Sequence, residues 1–334
     1  MANKDLAGQS QPLLSIVVAA HNAQDTIERC LGSVVDQHDA NVELVVVDDG
    51  STDDTGDLAD ACAREHDNVR VIHQPNAGAN AARMVGIEAC SGSWLLLLDA
   101  DDWHDPQALS TLRAHMHEPY DVICFPVRKV YDDGRVLEEP ARSEKTNARG
   151  MAELILEPEG PYQGYMTNKC VRMEAVRQAG GLDTHYRYCE DEEWWLRVAA
   201  TLERERGANT CVRILEDFLY NYLQAKTGMR RSSLLDVDKS ARDAIVALVE
   251  NTWPDLAYLA YERHALWQNR VVVAALKARS RSKRDVLARV VVPAYRKELY
   301  RHNDVRQRTK VKTAVLGVVG DFCAARGRRH GQSR

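Results

Sequence analysis

Three aspartates, Asp99, Asp101 and Asp102, follow a run of four leucines in LLLLDADDWHDP, residues 95–106. Carboxylates that close repel one another unless a cation sits among them. A hard divalent ion with oxygen ligands, Mg²⁺ or Mn²⁺, relieves that repulsion and can bridge to phosphates. The leucines suit a short strand buried on both faces, as in a parallel sheet. In open α/β sheets the carboxyl edge of such a strand is where ligands bind. The same residues also read as a solvated acidic turn that caps the next helix, with Asp105 before Pro106 at its start. On this stretch alone both readings stand.

The elements that must position those acids can be read outward from them. LLSIVVAAHN (13–22) has the pattern of a buried strand running into a polar turn, and AQDTIERCLGSVVDQ (23–37) has helical spacing through Ile27, Leu31 and Val34. VELVVVDDGSTDDT (42–55) gives a second buried strand, followed by a helix to about residue 66. VRVIHQ (69–74) is a third strand, NAGANAARMVGIEAC (76–90) a small-residue turn and helix, and WLLLLDADD (94–102) the fourth strand. This alternation predicts right-handed crossovers and a mostly parallel central sheet with flanking helices. The polar strand ends HN, DDGSTDD and DADD then meet at one sheet edge. That edge is a candidate site.

Residues 120–225 are more mixed. YDVICFPVRKVY reads as one strand, DDGR (132–135) carries a hairpin signal, and residues 168–183 read as strand, helix and a Gly-Gly stop. YCEDEEWWLRVAA (188–200) opens as a turn and continues as a helix, with Trp194, Trp195, Val198 and Ala199 on its packed side. Beyond about 232 the pattern is helical, over 236–250, 256–279, 283–300 and 305–326.

The 334 residues fit one large or two moderate domains. Eight cysteines stand singly with no CxxC pair, which argues against zinc and thioredoxin-like chemistry. The opening MANKDLAGQSQP has no apolar stretch of signal-peptide type, and no window reaches the length of a membrane span. A cytoplasmic protein is expected. The net charge of −5 hides an asymmetry: residues 261–334 hold 19 Lys and Arg against 5 Asp and Glu. An acidic body with a basic tail invites an anionic partner for the tail. Membrane lipid is the expected one, at the inner face of the cell membrane, rather than nucleic acid. The alternative is that the tail helices pack on the rest of the chain or on a second subunit.

No GxGxxG follows the first strand, and DDGSTDDT lacks the lysine of a P-loop. What remains is an ordered series: SIVVAAHN, VVVDDGSTDDT, NAGANAAR, LLLLDADD and CEDEEWW. Over about residues 12–225 this series resembles the family 2 inverting glycosyltransferases, whose nucleotide-binding domain has the GT-A fold. The resemblance implies an N-terminal tail (1–11), a GT-A catalytic domain (12–230) and a helical basic C-terminal region (231–334). It implies a nucleotide-diphosphate sugar, UDP-linked, as donor, and a hydroxyl of a glycan, wall polymer or lipid-linked glycan as acceptor.

The implied roles follow residue by residue. Asp49 would bond the base of the donor, and Arg83 would stand on the donor side. Asp99 and Asp101 match the family's DxD, with Asp99 nearer the ribose and Asp101 on a divalent ion, Mn²⁺ or Mg²⁺. Glu190 and Asp191 match its ED pair, in which the aspartate is the general base for the acceptor hydroxyl. Asp49 also reads as a helix cap, Arg83 as an exposed helix charge, and Glu190–Asp191 as acids favourable at a helix N-terminus.

Departures from the family's pattern are Ala19-Ala20-His21-Asn22, where Pro-x-Tyr-Asn is frequent, and Met84 after Arg83. His21, beside Asn22, can still stack on a base with less aromatic surface. His104 and His185 lie near site motifs, while His115 and His117 read as helix surface. Lys226, Arg230 and Arg231 read as a basic loop that could close over a diphosphate. Two rival functions are a nucleotidyltransferase acting on sugar phosphates, for which a basic Gly-rich loop is missing, and a non-catalytic protein acting through its tail.

Overall fold

A chain that alternates buried strands with amphipathic helices folds here into β1 (Leu14–Ala20), α1 (Ile27–Val35), β2 (Val42–Asp49), α2 (Thr55–Glu65), β3 (Val69–Gln74), α3 (Ala79–Ala89) and β4 (Trp94–Asp99). The computed structural model describes residues 13–157, 161–186, 189–224 and 240–277. β1 pairs in parallel with β2 on one side and β4 on the other, and β3 extends the sheet beyond β2. Ile16, Leu44, Leu95 and Leu96 have no measurable exposure. Each such side chain contributes about 1.5–3 kcal/mol through burial. The helix–sheet approach is close: a Cβ on Gly86 of α3 would lie 2.4 Å from the Val17 side chain.

The following elements are β5 (Trp103–His104), α4 (Ala108–Met116), β6 (Val122–Cys124), β7 (Val127–Tyr131), β8 (Val136–Leu137), β9 (Glu144–Thr146), α5 (Ala148–Leu156), β10 (Lys169–Arg172), α6 (Met173–Ala179), α7 (Glu190–Arg206), β11 (Val212–Ile214) and β12 (Tyr220–Gln224). The main sheet has eight strands in the order β3-β2-β1-β4-β10-β6-β11-β9. β10 enters antiparallel to both its neighbours, and β9 is antiparallel to β11. A second, four-stranded sheet runs β5-β12-β7-β8.

That second sheet corrects one expectation. The single strand read across YDVICFPVRKVY is two, because Pro126, with no N–H for a ladder, separates β6 in the main sheet from β7 in the other. The hairpin at DDGR is present, with Gly134 at φ +82° and its amide on the Tyr131 carbonyl. The strand and helix expected over 168–183 are β10 and α6, closed by Gly180 at φ +81°.

The chain divides into two compact units. One comprises Met1–Met151, Gly160–Thr184 and Arg197–Lys226; the other comprises Ala152–Glu159, His185–Leu196 and Thr227–Arg334. The first holds both sheets. In the second, α8 (Ser240–Thr252) and α9 (Ala257–Lys277) pack on each other, with a 3-10 turn at Pro254–Leu256 between them. That turn falls at the gap between the helices expected over 236–250 and 256–279. The helices expected over 283–300 and 305–326 lie outside the described residues. Among the described residues no helix is long and apolar enough to cross a membrane, and seven cysteines are all free.

Candidate functional site

Parallel register sets the site in the first unit. Ala19 stands opposite Asp99 and Ala20 opposite Asp48, while Asp49 stands opposite Gln74. Four strands therefore end at one level, and their polar turns lie side by side. Asn22, at φ +50°, accepts the Thr52 amide at 2.8 Å and donates its own amide to Ser51 Oγ at 3.0 Å. The turns after β1 and β2 are laced together by these bonds. His21 is exposed, with Nδ1 2.9 Å from the Asp49 carbonyl oxygen and the Asn76 amide group 3.1 Å from its ring nitrogens.

Asp49 itself is 2 % exposed and accepts three hydrogen bonds, from Gln74 Nε2 at 2.7 Å and from the Ala77 and Gly78 amides at 2.8 Å each. It does not cap α2, which starts at Thr55 behind Asp54. It anchors the turn after β3. Gly50 lets that turn approach: its φ is +68°, and a Cβ there would come within 2.6 Å of the Asn76 nitrogen. Beside it, Asp48 bonds Ser51 and His73. Burial works to raise the Asp48 carboxyl, but those hydrogen bonds outweigh it and hold the group below its ordinary range.

Arg83, read from sequence as a possible exposed charge, has only 14 % of its side chain exposed and donates Nη2 to Asp99 Oδ1 at 2.7 Å. It is a site residue by position. The three clustered acids then take separate courses. Asp99 is paired with Arg83. Asp101 is exposed, and its carbonyl accepts Arg29 Nη2 at 2.9 Å. The Arg29 guanidinium lies 3.9 Å from the centroid of the Trp103 ring. Crowding of the Asp101 carboxyl by surrounding atoms, and the neighbouring Asp99, raise its proton affinity, against the pull of Arg29 and Arg83.

Asp102 turns inward. It is fully buried and accepts the Tyr220 hydroxyl at 2.6 Å and the Leu223 amide at 2.7 Å. Burial, with Asp99 and Asp101 beside it, pushes its carboxyl up to about 8. It joins the main sheet to β12 and is spoken for.

His104 is also a core group: 2 % exposed, edge-on to Tyr220, with Nδ1 3.3 Å from the Leu219 carbonyl, and pushed by burial down to about 4. His115 is edge-on to Tyr120, His117 is exposed, and His185 is exposed in the turn before α7. Lys226, Arg230 and Arg231 lie outside the described residues.

The donor set bears on a metal. Among the described residues no group of three or more His, Cys, Asp or Glu is arranged to enclose an ion. A hard ion needs no such cage: Mg²⁺ typically keeps several waters and binds one or two carboxylates plus substrate phosphates. Asp101, exposed and with the Asp99 carboxylate beside it, fits that part.

Glu190 and Asp191 belong to the second unit, at the start of α7. Cys189 before them has φ +62°, a strained value for a residue with a Cβ. Asp191 is half-buried, and its Oδ1 accepts the Glu192 amide at 2.7 Å. Burial first, then Glu190 and Glu192, push its carboxyl up to about 7, with Arg242 opposing. A carboxyl in that range can accept a proton near neutral pH.

Residues 15–176 match the family model described as Glycosyl transferase family 2. The chain carries a family 2 glycosyltransferase domain. EpsH of Bacillus subtilis, a glycosyltransferase by name, is 31 % identical over 191 residues, 56 % of this chain and 56 % of its own length. EpsJ of the same organism, also a glycosyltransferase by name, is 29 % identical over 216 residues, 63 % of this chain and 61 % of its own. The chain thus spans about three-fifths of these relatives. Among solved structures, Staphylococcus aureus TarS 1-349 in complex with UDP-GlcNAc is similar at a TM-score of 0.63 and 19 % identity, covering 94 % of this chain and 88 % of that one. A mannosyltransferase of Pyrobaculum calidifontis in complex with GDP-Man and Mn²⁺ is similar at 0.54 and 15 %, covering 93 % and 88 %. The fold of the family 2 domain and its surroundings is GT-A-like, a central sheet with flanking helices and further helices after it.

Sequence reasoning missed Arg29, Gln74, Asn76 and Tyr220 around this site. No local pattern marks them; each acquires its role only when distant segments meet.

Proposed function

We propose that the protein is a metal-dependent, inverting glycosyltransferase that moves a sugar from a nucleotide-diphosphate donor, UDP-linked, to a hydroxyl of a glycan, wall-polymer or lipid-linked acceptor. The observation that carries the reading is the family 2 domain with Arg83, Asp99 and Asp101 together at the carboxyl edge of its sheet. Mn²⁺ bound with GDP-Man in the Pyrobaculum enzyme, and UDP-GlcNAc bound in TarS, support the donor class and the ion.

In this reading Asp101 holds the divalent ion, with Asp99 beside it. Once bound, such an ion counters negative charge gathering on the leaving nucleoside diphosphate. The chain's own residues do the rest. Asp49 and the turn it anchors, with His21 and Asn22 facing them, bind the base. Arg83 fixes Asp99 toward the ribose. Asp191 takes the acceptor's hydroxyl proton as that oxygen attacks the anomeric carbon, and Glu190 beside it raises its proton affinity. A single displacement inverts the anomeric centre. The basic tail is the proposed contact with an anionic membrane surface, which would bring a lipid-linked acceptor within reach.

The test is nucleoside diphosphate release from UDP-glucose, UDP-GlcNAc, UDP-galactose and GDP-mannose, each with Mn²⁺, with Mg²⁺ and with chelator. Metal-dependent release from a UDP-sugar is the expected result. Absence of turnover of every sugar nucleotide would count against the reading.

A further inference from the structure

The first turn of α7 holds a second acid that the transfer reading leaves unused. Glu192, directly after Asp191, is 2 % exposed. Arg242 of α8 donates Nη1 to its Oε1 at 2.8 Å. Arg263 of α9 donates Nε to the same oxygen at 3.0 Å and Nη2 to the other at 2.8 Å. Arg263 also donates Nη1 to the Glu157 carbonyl at 2.9 Å. Burial opposes ionisation of Glu192, but the two guanidinium groups overcome it and hold its carboxyl down to about 2.

Two arginines against one carboxylate leave a positive charge in excess. Arg242 is 8 % exposed, and its Nε is buried without a hydrogen-bond partner among the described residues. A buried charge so placed is costly unless another anion balances it. Asp191 is among the acidic groups that favour the Arg242 charge, after Glu192 and Cys189. Its carboxylate is tied to the same turn through the Glu192 amide, and the Cys189 carbonyl accepts the Glu193 amide at 2.9 Å to open the helix.

We infer that the Glu192–Arg242–Arg263 cluster is a positioning device for Asp191. It locks the first turn of α7 and supplies, through Arg242, the positive charge that balances the Asp191 carboxylate. This rests on Asp191 being the general base. Among the described residues, the titratable and charged groups that bear on Asp191 include Cys189, Glu190 and Glu192 from its own segment, Arg242 from α8, and Arg263 from α9 by way of Glu192. Glu190 and Glu192 act against its ionisation and Arg242 acts for it, so the variants have opposite signs.

The experiment measures two things across pH for the full chain: turnover of UDP-GlcNAc, UDP-glucose and GDP-mannose, and the ¹³C-carboxylate NMR midpoint of Asp191, assigned with Asp191→Asn. Glu192→Gln should move the acid limb and the midpoint to lower pH. Arg242→Gln should move both to higher pH, each by about half a unit to one unit. Arg242→Lys should restore most of the wild-type midpoint. A merely structural role predicts lost activity with no opposed displacement. Midpoints unmoved in folded variants, or moved in one direction by both, would overturn the inference. If Arg242→Gln does not fold, Glu192→Gln must still displace the midpoint downward, or the inference fails. Asp191→Asn separates the two layers: full turnover sinks the base assignment and this inference with it, whereas lost turnover with unmoved midpoints sinks the clamp alone.

Discussion

Replacing Asp49 with alanine probes the part of the site where sequence and structure assign different work to one side chain. The resemblance gives Asp49 to the base of the donor; the structure gives its carboxylate three donors within the protein, Gln74 Nε2 and the Ala77 and Gly78 amides. A hydrogen bond to an ionised acceptor is worth about 1.5–3 kcal/mol, and each buried donor left unmade costs about 1–3 kcal/mol. Ala77 and Gly78 are exposed, so water can reach the vacated amides and the net loss lies well below the sum. A cost of about 3 kcal/mol follows, or roughly 6–12 °C in unfolding temperature for a unit of this size. Asp49→Asn keeps one acceptor oxygen and should lose about half as much.

The assays are unfolding followed by circular dichroism and UDP binding by calorimetry. Asp49→Ala should lower stability and UDP affinity together, because the turn carrying Asn76 against His21 loses its anchor. Gly50→Ala should reproduce both effects without touching the carboxylate, since its Cβ would collide with the Asn76 nitrogen. An unfolding midpoint within 1 °C of wild type, with UDP binding lost, would refute the anchoring argument and leave direct base contact as the role of Asp49. Lost stability with UDP binding intact would refute the link between turn and donor.

Asp101→Ala should abolish sugar transfer, and chelation should do the same to the wild type and be reversed by added Mn²⁺ or Mg²⁺; full activity in excess chelator would contradict the metal assignment. Asp191→Asn should lower turnover by about 10²–10⁴-fold while sparing donor affinity, and wild-type kcat/KM should fall as pH drops through the region near 7. Because the folded-state carboxyl lies above its ordinary 3.8, the unfolded chain releases that proton first, and stability declines as pH rises from about 4 to about 7. Asp191→Asn removes this penalty, so its unfolding midpoint should gain on wild type between pH 4 and 8. The ceiling is about 4 kcal/mol, and partial solvent access reduces it to about 2. Residues 278–334 hold 16 Lys and Arg against 4 Asp and Glu. At roughly 1 kcal/mol per basic residue near an anionic surface, the full chain should co-sediment with anionic vesicles at low salt and release at high salt. A chain ending at Lys277 should not bind; equal binding by both would contradict a tail contact.

The carboxyl edge of the sheet was legible because its strands are short apolar runs that stop at charged residues. Val42–Asp49 and Trp94–Asp99 need burial on both faces, and their acids stand where the strands end, Asp49 buried there with three hydrogen bonds to satisfy it. Register then aligns the ends without help from any distant contact. The second sheet was not legible, because its β5 and β8 are two residues each and Pro126 breaks an apparently continuous strand. Asp102 was beyond sequence reading for a related reason: its partners Tyr220 and Leu223 come from a segment more than a hundred residues away. The acids of Cys189-Glu190-Asp191-Glu192-Glu193 read as first-turn charges, and their proximity in sequence hid opposite fates. Glu192 meets Arg242 and Arg263, 50 and 71 residues on, and stays ionised, while Asp191 accepts a backbone amide and rises toward neutrality.

The most direct test of the account is ¹H NMR of the first products formed from an α-configured UDP-sugar by the full chain with Mn²⁺. Transfer with a general base at Asp191 and an ion at Asp101 predicts UDP together with a β-configured sugar product, seen before mutarotation when water is the acceptor. An α-configured first product would contradict single displacement, and release of UMP in place of UDP would contradict glycosyl transfer itself.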